Sequence, residues 1–389
     1  MTDGEGAAEK LDILQQLFEV LDALNRVSHG LRSSCHSPDS DSSAIRALAE
    51  LRAASNSMFS ANRHMVSLSQ HFSELIELVQ ELHKSKPTGH GLKSFLIRRM
   101  KSHEISRLSA TIESELQNWI DRETVLTLTE TVAEMRFSRK PSSNLSPSDE
   151  DQLFVKMTAL QNRLSREFDM NLQDLLLKSG IFSELEWVLC NPRFSKRIRE
   201  QAAITIKELV LYNKNVFVGL ILVGGSVKAL VSMSFLCSLQ VLSSLIKAIK
   251  SPLVDEIESC GGILKIIGFL SSDDLEMRIM AMNCAMEIGY YGRKEAVEAL
   301  INGGLIKKLV ELQRSELGGD SIEMKNLESH PFASCVGRFA VQLEVGEGLR
   351  QREKRAFKQQ ILKKVREACV SDAEFATIVA EVLWGSSPW

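Results

Sequence analysis

The chain has 389 residues, of which 44% are apolar and 25% charged, and its formal net charge is −3. Such a composition suits a folded protein long enough for several domains or one extended array, and its near-neutral charge excludes bulk attraction to nucleic acid or membrane. Three tyrosines and 6% aromatics favour helix over sheet.

The chain opens Met1-Thr2-Asp3-Gly4-Glu5, acidic and without an apolar h-region, so no secretory signal is expected. Residues 8–29, 43–83, about 92–136 and 148–168 read as long helices with few breakers. "LDILQQLFEVLDAL" and "MVSLSQHFSELIELVQEL" both carry apolar residues at helical spacing. Two polar Ser/Pro-rich stretches, "SPDSDSS" and "SRKPSSNLSPSDEDQ", read as connections. Four helices with short loops predict an antiparallel bundle over 1–137, followed by a linker at 138–150.

Within the bundle, residues 83–107 hold seven Lys or Arg against one acid, Glu104. A helix there would set Leu92, Phe95, Leu96 and Met100 beside Lys93, Arg98, Arg99 and Lys101. That layout fits a weak contact with an anionic membrane or an acidic partner. The plainer alternative is an ordinary bundle helix with a solvated basic face.

Further on, "LLLKSGIFSELEWVL", "LILVGGSVKALVSM", "EIESCGGILKIIGFL" and "ALINGGLIKKLVEL" share one scheme. A short helical run meets glycine, and an apolar residue opens a new helix. The markers Gly180, Gly225, Gly262 and Gly304 fit stacked helical repeats over 151–345. Glycine suits these corners because a helix ending in a left-handed residue tolerates no side chain cheaply. The apolar run "VFVGLILVGGSVKALVSMSFL" is broken by Lys228 and two glycines, which predicts buried helix rather than a membrane span.

In "KRIREQAAITIKELVLYNKN", Ile198, Ala202, Ile206 and Leu209 share a helical face. Ala202 and Ala203 are expected as packing spacers, where neighbouring helices approach most closely. Residues 346–389 are expected as a helical cap with Phe357, Ile361, Val365 and Ala368 turned inward. "AEFATIVAEVLW" would be its last buried helix, with Trp384 packed and the tail "GSSPW" exposed.

Seven dispersed cysteines (35, 190, 237, 260, 284, 335 and 369) without CxxC spacing read as free thiols. No phosphate loop, HExxH or zinc-spaced Cys/His cluster occurs, so no catalytic residue, cofactor, metal or small-molecule substrate is expected.

"REQAAITIKEL" resembles the armadillo-repeat consensus at the start of its third, groove-lining helix, and the Gly-Gly corners strengthen the resemblance. It covers about residues 170–345, with "LCSLQVLSSLIKAIKSP" as a degenerate copy lacking the Arg and the paired alanines. The layout resembles plant armadillo-repeat proteins, including U-box ubiquitin ligases. No stretch resembles a U-box, so ligase activity is not implied.

The resemblance implies an all-α fold and protein partners held in the groove. Nuclear-import adaptors carry Trp and Asn ladders there. Alignment on the alanines puts Ile204 and Asn283 at the Trp position, and Glu208 and Glu287 at the Asn position. Binding of nuclear-localisation peptides is therefore not expected. Lys207, Glu208, Asn283 and Glu287 become the candidate groove residues. The expectation is a non-enzymatic adaptor in the cytoplasm, with nuclear or peripheral-membrane placement as variants and no nucleic-acid partner. The alternatives are an auxiliary, substrate-binding component of ubiquitin ligation, or a membrane adaptor through the basic segment.

Overall fold

The computed structural model describes residues 66–84, 92–137, 147–317 and 330–384; all regular structure among them is α-helix. The expected helices at 8–29 and 43–65 lie outside the described residues. The chain divides into two compact units. One comprises Met1–Leu126 with Met170–Leu175, the other Thr127–Asp169 with Leu176–Trp389.

In the first unit, α1 (Val66–Lys84) and the start of α2 (Leu92–Phe137) run antiparallel. Lys101 Nζ meets Glu81 at 2.8 Å, and His71 Nδ1 lies 3.2 Å from Glu115. Leu68, Phe72, Leu75 and Val79 form the buried seam of α1, at alternating steps of four and three residues. Ile105, Ile112, Leu116 and Ile120 face inward from α2. The division between the units falls inside α2, after Leu126.

The second unit is a solenoid. Before its complete repeats come α3 (Pro147–Leu164), the remainder of α4 (Met170–Ser179), α5 (Ile181–Cys190) and α6 (Lys196–Tyr212). Helix α3 thus begins inside the stretch expected as linker. Three helix triplets follow, the first two short-short-long. They are α7 (Lys214–Val223), α8 (Ser226–Met233) and α9 (Leu236–Ile249); α10 (Ser251–Ser259), α11 (Gly262–Phe269) and α12 (Leu275–Tyr291); and α13 (Lys294–Asn302), α14 (Leu305–Leu317) and α15 (Cys335–Val345). The third helices stack side by side in the order α3, α6, α9, α12, α15, and α17 (Asp372–Trp384) continues the row. This is an all-α solenoid with three-helix, armadillo-type repeats.

The paired alanines now have places. Ala202 and Ala203 are fully buried. Gln201 donates to Gln161 on α3, so that flank of α6 faces α3. Ala203, about 200° further round the helix, lies on the opposite flank, where α9 packs. Ala202 points inward with Ile198, Ile206 and Leu209, all fully buried.

The glycine corners divide by cause. Gly180, Gly261 and Gly304 have φ of 66°, 71° and 90°, the left-handed region in which a side chain is strained. The left-handed explanation fails at Gly225, where φ is −88°. There the demand comes from packing at the neighbouring Gly224, whose missing side chain leaves room for the Glu186 carboxylate. That carboxylate accepts hydrogen bonds from the Ser226 N–H and hydroxyl, at 3.0 and 2.7 Å, and so caps α8. Gly262 likewise is a packing glycine, pressed against Ile257 and Val231.

Among the described residues no single helix is long and apolar enough to cross a membrane. The apolar run forms α7 and α8, bent by 71° at the glycines, with Phe217, Ile221, Val227, Leu230 and Val231 buried.

The C-terminal end is made by α16 (Gln351–Ala368) and α17. Helix α16 buries Phe357, Ile361 and Val365, and α17 buries Ile378 and Val382. Arg314 fastens them, donating through Nε and Nη2 to the two oxygens of Glu374 at 2.7 and 3.1 Å, and through Nη2 to the Ala368 carbonyl. Trp384 does not pack as expected and is 86% exposed, because it lies about 200° round α17 from the buried Val382.

Candidate binding groove

Because the third helices stand side by side, one face of each turns away from the first two helices of its triplet. On α9, α12 and α15 these faces enclose an open cavity of about 590 Å³. Gln240, Ser243, Ser244 and Lys247 come from α9; Met280, Asn283, Met286 and Glu287 from α12; Arg338, Val341 and Gln342 from α15. Spacings of three and four residues keep each set on one helical face.

The cavity gathers Asn283 and Glu287, two of the four candidates. Lys207 and Glu208 lie on α6, outside its lining. Glu208 and Glu287 stand at equivalent positions, where alone they would form an acidic ridge, but each carries a cation. Lys207 Nζ lies 2.8 Å from Glu208, and Lys247 Nζ 3.3 Å from Glu287. Each pair is close to neutral from a distance, so the ridge has little net field.

The remaining lining is polar and largely uncommitted. The side-chain amides of Gln240, Asn283 and Gln342 make no hydrogen bond among the described residues. The Ser244 hydroxyl donates to the Gln240 carbonyl at 2.9 Å. Arg338 Nη1 donates to the Pro331 carbonyl at 2.9 Å. Met280, Met286 and Val341 supply apolar contact between these groups.

Sequence reasoning read α9 as a degenerate copy but drew no groove residue from it, and it missed α15 as a groove wall. In α9 the small buried residue corresponding to Ala203 is Ser243, and the alanine signature is absent. In α15, "CVGRFAVQLEV" has no Arg-Glu-Gln opening either. Its buried Cys335, Val336, Phe339, Ala340 and Leu343 nevertheless show helical spacing, the signal that would have found it.

In the basic segment, Lys93 and Arg98 lie in α2, but their side chains are outside the described residues. Arg99 is exposed, as is Met100 at 72%, while Lys101 is engaged by Glu81. One of the four expected cations is therefore already partnered.

Among the described residues no group of three His, Cys, Asp or Glu converges as a metal site. The six described cysteines are free thiols. Burial pushes the Cys284 thiol up to about 12, where it donates to the Leu239 carbonyl.

No protein-family model matches the chain, and no curated protein matches it. Among solved structures, the chain is similar to an engineered protein at 14% identity, covering 99% of this chain and 96% of that one, with a TM-score of 0.46. A designed armadillo repeat protein in complex with the peptide (KR)4 is 16% identical over 66% of this chain and 98% of its own, with a TM-score of 0.41. The armadillo-repeats-only protein from Plasmodium falciparum is 13% identical over 68% and 97%, with a TM-score of 0.29. The fold follows from the helices and their packing.

Proposed function

We propose that the protein is a non-enzymatic binding scaffold, an adaptor that holds an extended polypeptide segment of a protein partner in the groove of α9, α12 and α15. The observation that carries this reading is the uncommitted row of Gln240, Asn283 and Gln342. An extended segment brings backbone N–H and C=O groups that lose water on docking and need replacement partners. A side-chain amide offers both donors and an acceptor, so a row of them serves either backbone group. Met280, Met286 and Val341 add apolar contact for side chains without dictating one shape.

Site-specific photocrosslinking in the native organism tests this. A photoreactive phenylalanine analogue at Ser244 or Gln342 should give one shared adduct. The same analogue at Lys228 or Arg355, exposed on helices outside the groove, should not. Adducts of the same mass from all four positions, or none from the groove positions, would refute the reading.

A further inference from the structure

We propose that the groove selects a segment carrying a carboxylate side chain, and that Arg338 is the residue that selects it. This rests on the groove reading above and adds the chemical class of the ligand.

The argument is one of charge balance. Three of the cavity's lining residues are charged: Lys247, Glu287 and Arg338. Glu287 and Lys247 satisfy each other at 3.3 Å. Arg338 has no carboxylate partner among the described residues. Among the described residues the one hydrogen bond of its guanidinium goes to a neutral acceptor, the Pro331 carbonyl. Among the described residues the groove therefore carries one uncompensated positive charge, on a half-buried side chain at the α15 wall.

The carbonyl holds the guanidinium at one nitrogen and leaves other N–H donors of the fork for an incoming group. A guanidinium presents five donors in a fixed plane, and a carboxylate matches two of them at once. A Lys or Arg in the segment would instead meet Arg338 and Lys247 together, and like-charge contact rejects it. Glu287 cannot offer that cation a free carboxylate, because Lys247 occupies it. The ligand is thus an acidic peptide, with small polar or apolar residues over Asn283 and the two methionines.

The test is selection of random 12-residue peptides on phage against the full chain, followed by affinity measurements on variants. Ser244→Trp fills the groove and identifies the peptides that use it. Groove-dependent peptides should share an Asp or Glu at a fixed position. Their binding should fall about tenfold or more in Arg338→Gln, as for loss of a charge-assisted hydrogen bond. Changing the peptide's acidic residue to Ala should produce the same loss and abolish the effect of Arg338→Gln. Selection on Arg338→Glu should replace the acid by Lys or Arg. Glu287→Gln leaves Arg338 untouched and frees Lys247, so it should tighten acidic peptides several-fold; this variant carries the test if the Arg338 variants do not fold. Groove-dependent peptides without a shared acid, or unchanged by Arg338→Gln, or weakened by Glu287→Gln, would overturn the assignment of Arg338 while the groove stands. If no peptide responds to Ser244→Trp, the groove reading falls and this inference with it.

Discussion

Changing Ala202 to Leu asks whether the inward face of α6 is as tight as the solenoid requires. Ala202, Ile198, Ile206 and Leu209 are all fully buried. Three added carbons would gain about 2 kcal/mol if they entered empty apolar space, at roughly 0.8 kcal/mol per CH₂. On a fully buried face Leu is expected to displace α6 or adopt a strained rotamer, and overpacking of this kind costs about 1–3 kcal/mol net. The assay is urea unfolding followed by far-UV circular dichroism. A stack of repeats can unfold in stages, so the transition belonging to the α6 region is the one compared. Ala356→Leu on the exposed face of α16 serves as the control and should change stability by less than about 0.5 kcal/mol. Equal, negligible effects in both variants would show that Ala202 is not at a close packing site.

Other perturbations separate the remaining forces. Gly261→Ala meets no neighbouring atom but fixes a residue at φ 71°, so it should destabilise by about 1–2 kcal/mol, measured by the same urea titration. The Arg314 guanidinium holds the Glu374 carboxyl below the usual carboxylate range. Its contribution is therefore present above the unfolded carboxylate pKa and lost as pH falls through the lowered folded value. Hydrogen exchange in α16 and α17 should rise in that acid window, and Glu374→Gln should remove the rise. Alkylation at pH 8 should leave Cys284 unmodified in the native protein, with its thiol near 12, and modify it after unfolding; rapid native labelling would contradict its burial.

The repeats were legible because two local demands leave marks on the sequence. Left-handed corners require glycine at 180, 261 and 304, and close helix crossings require the small pair Ala202–Ala203. Where another residue meets the same demand, the mark vanishes. Ser243 replaces the alanine in α9, and Glu186 imposes packing at Gly224 from 38 positions away in sequence. The groove was half legible. Asn283 and Glu287 stand on a helix with a clear pattern, whereas Arg338 joins them only because α15 packs beside α12. The pairing of Glu287 with Lys247 crosses between helices, so no spacing along the chain announces that the acidic ridge is neutralised. Trp384 was misplaced because composition cannot say which flank of a terminal helix lacks a neighbour.

The central claim, that the face of α9, α12 and α15 is the binding surface, is tested most directly by methyl NMR on methionine-labelled full-length protein titrated with a selected peptide. Met280 and Met286 line the groove, whereas Met157 and Met233 are buried elsewhere in the same unit. Saturating shifts at Met280 and Met286, with Met157 and Met233 unmoved, are the predicted result. Shifts at Met157 or Met233 with Met280 and Met286 silent would place the binding surface elsewhere and contradict it.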